Sequence, residues 1–245
     1  MERIAIFAAL PWECRTALHP LRDVRRTRLG EFTMWQGRAS AREVWVVKTG
    51  VGVRRAAAAV DAACAAQTFD MIVSTGCAGG LVSVLQPGDL TVATAVSGDG
   101  TREAETTAPA PRARALNAAV DAGLRAVEGP LLCSATVLAT VADKRAAADA
   151  GAIVVEMEGG AVATRAADIG IPFLSVRAIL DGAEDEIELP PLIDPVSGGT
   201  RPLALAGYVA THPRVIGDLM ALQRMQRAAR ESLERFFAQW LSGPI

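Results

Sequence analysis

Residues 154 to 186, "VVEMEGGAVATRAADIGIPFLSVRAILDGAEDE", place charge where an apolar sheet is forming. Glu156 and Glu158 close one apolar run, and Arg177 and Asp181 sit within or just after the next. A carboxylate at the end of a buried strand costs several kcal/mol unless it has a partner or a task. Open α/β sheets bind their ligands at such strand ends. "AALPWE" sets Glu13 just past the first apolar run, on what should be the same edge of the sheet. Glu13 also fits a plainer description, an exposed acid in the first turn of a helix, where the helix dipole favours it.

Two glycine stretches accompany these acids. "STGCAGGL", Ser74 to Leu81, puts Gly76, Gly79 and Gly80 in an expected tight turn, and "KTGVGVRR", Lys48 to Arg55, opens a helix. Glycine lets backbone N–H groups approach a ligand, or simply turns the chain from strand to helix. Neither stretch is GxGxxG, which disfavours a dinucleotide fold.

The elements that must carry these residues are legible as alternating runs. "RIAIFAAL", "EVWVVKTG", "DMIVSTG", "DLTVATAV", "AIVVEME" and "FLSVRAIL" read as strands. "RRAAAAVDAACAAQ", "RARALNAAVDAGLRAV" and "GGAVATRAADIG" read as helices between them. Strands apolar on both faces, alternating with helices, imply a sheet covered on both sides. The expected fold is a three-layer α/β/α single domain over residues 1–245, with a central mixed, mostly parallel sheet. Residues 186–202, rich in proline, glycine and acid, are expected to form a loop. Residues 203–245 are expected to form a C-terminal helical segment, an amphipathic helix with Pro213 suited to its first turn.

Composition narrows the class. The chain has 245 residues, is 51% apolar and carries a formal net charge of −2, which suits a large core and offers no basic field for nucleic acid. Arginines gather at Arg22 to Arg28, where flanking acids and turns indicate a solvated surface. Cys14, Cys64, Cys77 and Cys133 lie far apart, and the histidines are His19 and His212, so no metal site and no cofactor is expected. Buried reduced thiols point to a cytoplasmic protein. No window is long and apolar enough for a membrane span.

Taken together, "IAIFAALPWE", "KTGVGVRRAAAA", "STGCAGGL", "PGDLTVA", "VVEMEGGAVA" and "PFLSVRAILDGA" resemble, in order and spacing, the nucleoside phosphorylase/nucleosidase superfamily. Within it, residues 3 to 185 resemble the bacterial methylthioadenosine/S-adenosylhomocysteine nucleosidases. The tail from "LPPLIDPVSGG" onward looks more like the hopanoid-associated members that cleave adenosylhopane. The resemblance implies a purine nucleosidase that cleaves the N-glycosidic bond of a 5′-substituted adenosine-type nucleoside. Asp181 then matches the general acid at purine N7, and Glu13 the base that activates water. Glu158 grips the ribose hydroxyls and Met157 lies against the sugar. Arg177 and Cys77 line the nucleophile end, Ala78 and Gly79 admit base and sugar, and Val51 faces the 5′ side.

Three positions depart from the nucleosidase pattern. Leu180 precedes Asp181 in place of serine, Leu138 takes the place of the ring that stacks on adenine, and Cys77 replaces serine. The resemblance implies a more apolar pocket as a result. Asp181 must hold or share a proton at neutral pH, which burial supplies, whereas Glu13, expected nearer solvent, stays ionised. The alternatives are a phosphate-dependent purine nucleoside phosphorylase, the adenosylhopane-cleaving enzyme with an apolar lip at residues 189–193, and a nucleoside-binding protein without catalysis. The superfamily resemblance also implies a homo-oligomer.

Overall fold

The computed structural model describes residues 1–98, 104–186 and 215–243. Most of the expected 186–202 loop, Pro213, the lip at 189–193 and the start of the 203–245 segment therefore lie outside the described residues.

The described chain forms ten strands and six helices. In order these are β1 (Glu2–Ala8), α1 (Pro11–Leu18), β2 (Arg22–Leu29), β3 (Phe32–Ala39), β4 (Arg42–Lys48), α2 (Val53–Ala66), β5 (Met71–Gly80) and β6 (Leu90–Ser97). They continue as β7 (Glu105–Thr106), α3 (Pro109–Asp121), β8 (Ala126–Cys133), α4 (Val141–Asp149), β9 (Val154–Glu156), α5 (Gly159–Asp168), β10 (Phe173–Asp181) and α6 (Val215–Ser242).

All ten strands join one mixed sheet, in the order β10-β6-β8-β9-β5-β1-β4-β3-β2, with β7 beside β6. Its centre is parallel: β1 lies between β4 and β5, and β5 pairs with β10. Because β10 meets β5 as well as β6, the strands β5, β10, β6, β8 and β9 close into a ring.

Alternation along β1 shows why both faces are buried. Ile4, Ile6 and Ala8 enter one cluster with Trp12, Cys14 and Ala17 of α1, Ala115 and Ala119 of α3, and Leu233, Phe236, Phe237 and Trp240 of α6. Ala5 and Phe7 enter the other, with Ala56, Ala59, Val60 and Ala63 of α2 and Val162, Ala163 and Ala166 of α5. The small residues of α2 and α5 allow helix and sheet to approach closely. These three layers are the α/β/α arrangement expected from the alternating runs.

Helix α6 is held near its C-terminal end. Phe236 stacks on Trp240, with ring centroids 5.8 Å apart, and meets Phe237 edge-on at 5.2 Å. The buried Arg42 guanidinium donates to the carbonyls of Leu241 and Gly243 at 2.9 and 2.8 Å, satisfying acceptors at the helix end. Its Nε reaches Glu2 at 2.8 Å.

Some elements were not anticipated from the sequence. The β2–β3 hairpin, β8 and α4 fall outside the expected strands and helices, the helix expected over 112–127 ends at Asp121 and gives way to β8 at Ala126, and the arginines of 22–28 stand on β2 as an exposed edge strand. The glycines of "STGCAGGL" are not a tight turn: Gly76, Gly79 and Gly80 extend β5 to its end.

Phe236 is fully buried. Replacing it by alanine should therefore lower stability by about 3–5 kcal/mol in urea unfolding, whereas Val120→Ala, at a 70% exposed position, should change it by less than about 0.5 kcal/mol.

Candidate active site

Strand β5 changes neighbours partway along. On one edge it pairs with β1 from Met71 to Ser74 and with β9 only from Gly79 to Gly80. Residues Thr75 to Ala78 therefore face a gap between the end of β1 and the end of β9, while β10 covers their other edge. Charged side chains gather at this gap and at the strand end beyond it.

Glu13 enters from the first turn of α1. Its Oε1 accepts the Cys77 N–H at 2.9 Å, taking the place of a ladder bond that no strand supplies there. Its Oε2 accepts the N–H groups of Ala9 and Leu10 at 3.1 and 2.8 Å. A Cβ on Gly76 would lie 2.6 Å from Glu13 Oε1, and the residue sits at φ +146°, so only glycine fits this closely against the acid. Glu13 is 3% exposed. This corrects the expectation of an acid nearer solvent: burial pushes its carboxyl up, and the N–H groups of Cys77 and Leu10, with Arg177, only partly oppose it.

Glu158 stands at the N-terminus of α5 and accepts the Gly52 N–H at 2.8 Å, which ties it to the "KTGVG" loop that opens α2. That loop carries Val51, half-buried next to Gly52. Burial first, then the charge of Glu156, pushes Glu158 up to about 8, against the pull of Arg177 and the Gly52 N–H. Met157, beside it, is half-buried.

Asp181 ends β10 opposite Gly79, where a Cβ would lie 3.3 Å from its Oδ2. Burial raises its pKa, while the bond and charge of Lys144 draw it down. Lys144 was not singled out in the sequence. It lies on α4, 1% exposed, with Nζ 2.5 Å from Asp181 Oδ2 and 2.7 Å from the carbonyls of both Gly182 and Asp185. One signal was available: "TVAD" before it has the spacing of a helix cap, and Thr140 Oγ1 does accept the Asp143 N–H at 3.1 Å.

Arg177 lies deeper. Its Nη2 donates to Glu156 Oε2 and Ser74 Oγ, both at 2.5 Å. Burial disfavours the charged guanidinium, but Glu156, Glu158 and Glu13 outweigh it and raise its pKa. Glu156 also accepts the N–H groups of Glu158 and Gly159 at 2.8 to 2.9 Å, capping α5. Cys77 faces the gap as a protonated thiol, pushed well up by burial and by Glu13. Ala78 is buried, and Leu138 packs with Leu81, Ala147, Ala152 and Val155 beyond Gly79. No cluster of His, Cys, Asp or Glu among the described residues could hold a metal ion.

The structure thus brings Glu13, Glu158, Asp181, Arg177, Cys77, Ala78 and Gly79 to one stretch of β5.

Comparison with known proteins fits this geometry. A family model described as "Phosphorylase superfamily" matches residues 3–194. The chain is 27% identical over 209 residues to the 5′-methylthioadenosine/S-adenosylhomocysteine nucleosidase of Haemophilus influenzae strain 86-028NP, covering 76% of this chain and 89% of that one. Among solved structures, that nucleosidase from Neisseria meningitidis, in complex with methylthio-immucillin-A, superposes with a TM-score of 0.77 at 18% identity, covering 99% of each chain. The futalosine hydrolase of Helicobacter pylori strain 26695 does so with a TM-score of 0.76 at 18% identity, covering 98% of this chain and 97% of that one. At those identities the structural likeness is one of fold. By the family match across most of its length, the chain belongs to the phosphorylase superfamily.

Proposed function

We propose that the chain hydrolyses the N-glycosidic bond of a 5′-substituted adenosine-type nucleoside. The observation that carries this reading is the set of three buried carboxyl groups along the end of β5, Glu13 on the Cys77 N–H, Glu158 on the Gly52 N–H and Asp181 against Gly79, each held by different partners. The similarity to curated 5′-methylthioadenosine/S-adenosylhomocysteine nucleosidases supports the choice of substrate class.

Cleavage of the C1′–N9 bond leaves positive charge on the sugar and sends the bonding pair to the purine. Asp181 gives its proton to N7, so the leaving group departs neutral. Glu158 accepts from the ribose hydroxyls and in its ionised form favours the oxocarbenium-like sugar. Glu13 takes a proton from the water that attacks C1′. Water is preferred to phosphate as the nucleophile because Arg177, a buried cation behind this gap, is already paired with Glu156. A phosphate dianion needs guanidinium groups that are still free to bind it.

The same reading makes the protein a homo-oligomeric enzyme of the cytoplasm, in keeping with its four free cysteines. No described helix is long and apolar enough to cross a membrane. The adenosylhopane variant rests on residues 189–193, outside the described residues, and on the helix from Pro213, whose described part packs Leu233, Phe236, Phe237 and Trp240 into the core.

Asp181→Asn keeps the shape of the acid and removes its proton, so purine release should fall by about 10²- to 10⁴-fold with an unchanged circular dichroism spectrum. Wild-type turnover in that variant would refute the assignment. Adenine release from 5′-methylthioadenosine should proceed at the same rate with and without phosphate; strict phosphate dependence would make the chain a phosphorylase.

A carboxyl whose pKa is raised from 4.5 to about 8 by folding supports the fold below the lower value and loses that support as pH rises through the upper one. Glu158→Gln abolishes this titration. In thermal melts without ligand its stability relative to wild type should grow from about pH 5 to about pH 9, and a constant difference would show that Glu158 does not titrate there.

A further inference from the structure

Lys144 is the buried charge that the reaction above leaves without a task. Burying an ammonium is costly, and a chain keeps one inside only where its donors are used. Here all three ammonium protons have acceptors: Asp181 Oδ2, the Gly182 carbonyl and the Asp185 carbonyl. Two of these lie in the turn that follows β10, so the lysine pins the strand end together with its acid. Asp185 closes the same turn by accepting the Gly182 N–H at 2.8 Å.

We propose that Lys144 is a positioning residue for Asp181, holding Oδ2 so that Oδ1 is presented to the purine and stabilising the carboxylate that remains once the proton has left. The inference rests on the reading of Asp181 as the acid at N7. The step balances: the Asp181 O–H bond breaks, N7–H forms, the C1′–N9 pair passes to the purine, and the new Asp181 anion is left beside an ammonium. Lys144 gives up no proton in this step. Leu180, the residue before the acid, has an apolar side chain and offers it no hydrogen bond, so orientation falls to Lys144. The charged groups facing Asp181 are Lys144 from α4 and Asp185 from the turn; β5 and β9 present only Gly79 and Val155 there.

The charge has a direction of effect. An adjacent ammonium favours ionised Asp181, so it makes the acid stronger and keeps its titration lower than burial alone would. Lys144→Met keeps most of the side-chain volume and removes the charge. Its kcat/KM profile should lose activity on the alkaline side at a pH about one unit or more above wild type, because the proton is held more tightly. Its kcat on 5′-methylthioadenosine should fall by about 10- to 100-fold with KM within about threefold.

A 5′-methylthioriboside with a 4-nitrophenolate leaving group needs no proton to depart, so the same variant should lose at least about tenfold less on it. Equal losses on both substrates, or an unmoved alkaline limb, would overturn the proposal and leave Lys144 as a structural residue. Where Lys144→Met does not fold, Lys144→Arg carries the test: it should keep the wild-type alkaline limb while kcat falls by about threefold or more, and wild-type kcat in it would overturn the positioning role. A wild-type protein inactive on both substrates would instead remove the underlying assignment of function, and the two failures are told apart by that control.

Discussion

The ion pair between Arg177 and Glu156 is the constraint on which the cleft depends. It is buried on both sides, and breaking such a pair by removing one partner costs about 3–5 kcal/mol because the other charge stays behind. Through it Arg177 on β10 is fastened to the end of β9, and its bond to Ser74 fastens it to β5. Glu156 uses its remaining capacity to cap α5, the helix that follows Glu158. The direction in which Glu158 points is therefore set by a pair that never needs to touch a substrate. Gly76 completes the junction, since any side chain there would collide with Glu13 and crowd Arg177.

Around that junction three carboxyl groups are distinguished by what satisfies them. Glu13 is held by three backbone N–H groups, Glu158 by one, and Asp181 by an ammonium. All three are pushed toward the protonated form by burial, with different opposing contacts. The three environments thus differ in partner rather than in distance to solvent: the Ala9–Leu10 turn, the Gly52 loop and α4 supply most of the contacts, and β5 supplies the Cys77 N–H and the room around it. The strand can do this because it parts from β1 before it reaches β9.

Much of this arrangement was legible in the chain itself. The apolar runs of β1, β4, β5, β6, β9 and β10 and the alanine-rich helices α2, α3 and α5 stand out by period and composition, as a sheet buried on both faces requires. The acids stood out because they interrupt those runs. What escaped notice lacks that contrast. β2 is exposed along nearly its whole length and reads as a polar surface, while β8 has Gly129 and Pro130 in its middle. α4 is short and has only alanines and one valine for apolar residues, so nothing in it marked Lys144 for burial. Glu13 was placed near solvent because the fill of the gap between β1 and β9 depends on which strands neighbour β5, and that order is a property of the whole sheet.

The closed ring of β5, β10, β6, β8 and β9 also limits how copies of this chain can meet. A sheet with two free margins invites another chain to add a strand, but here β10 is occupied on both sides and the main path ends freely at β2. That margin carries Arg22, Arg25, Arg26 and Arg28, and a second copy approaching it edge to edge would bring the same positive row against it. Strand addition at this margin is thereby discouraged by repulsion.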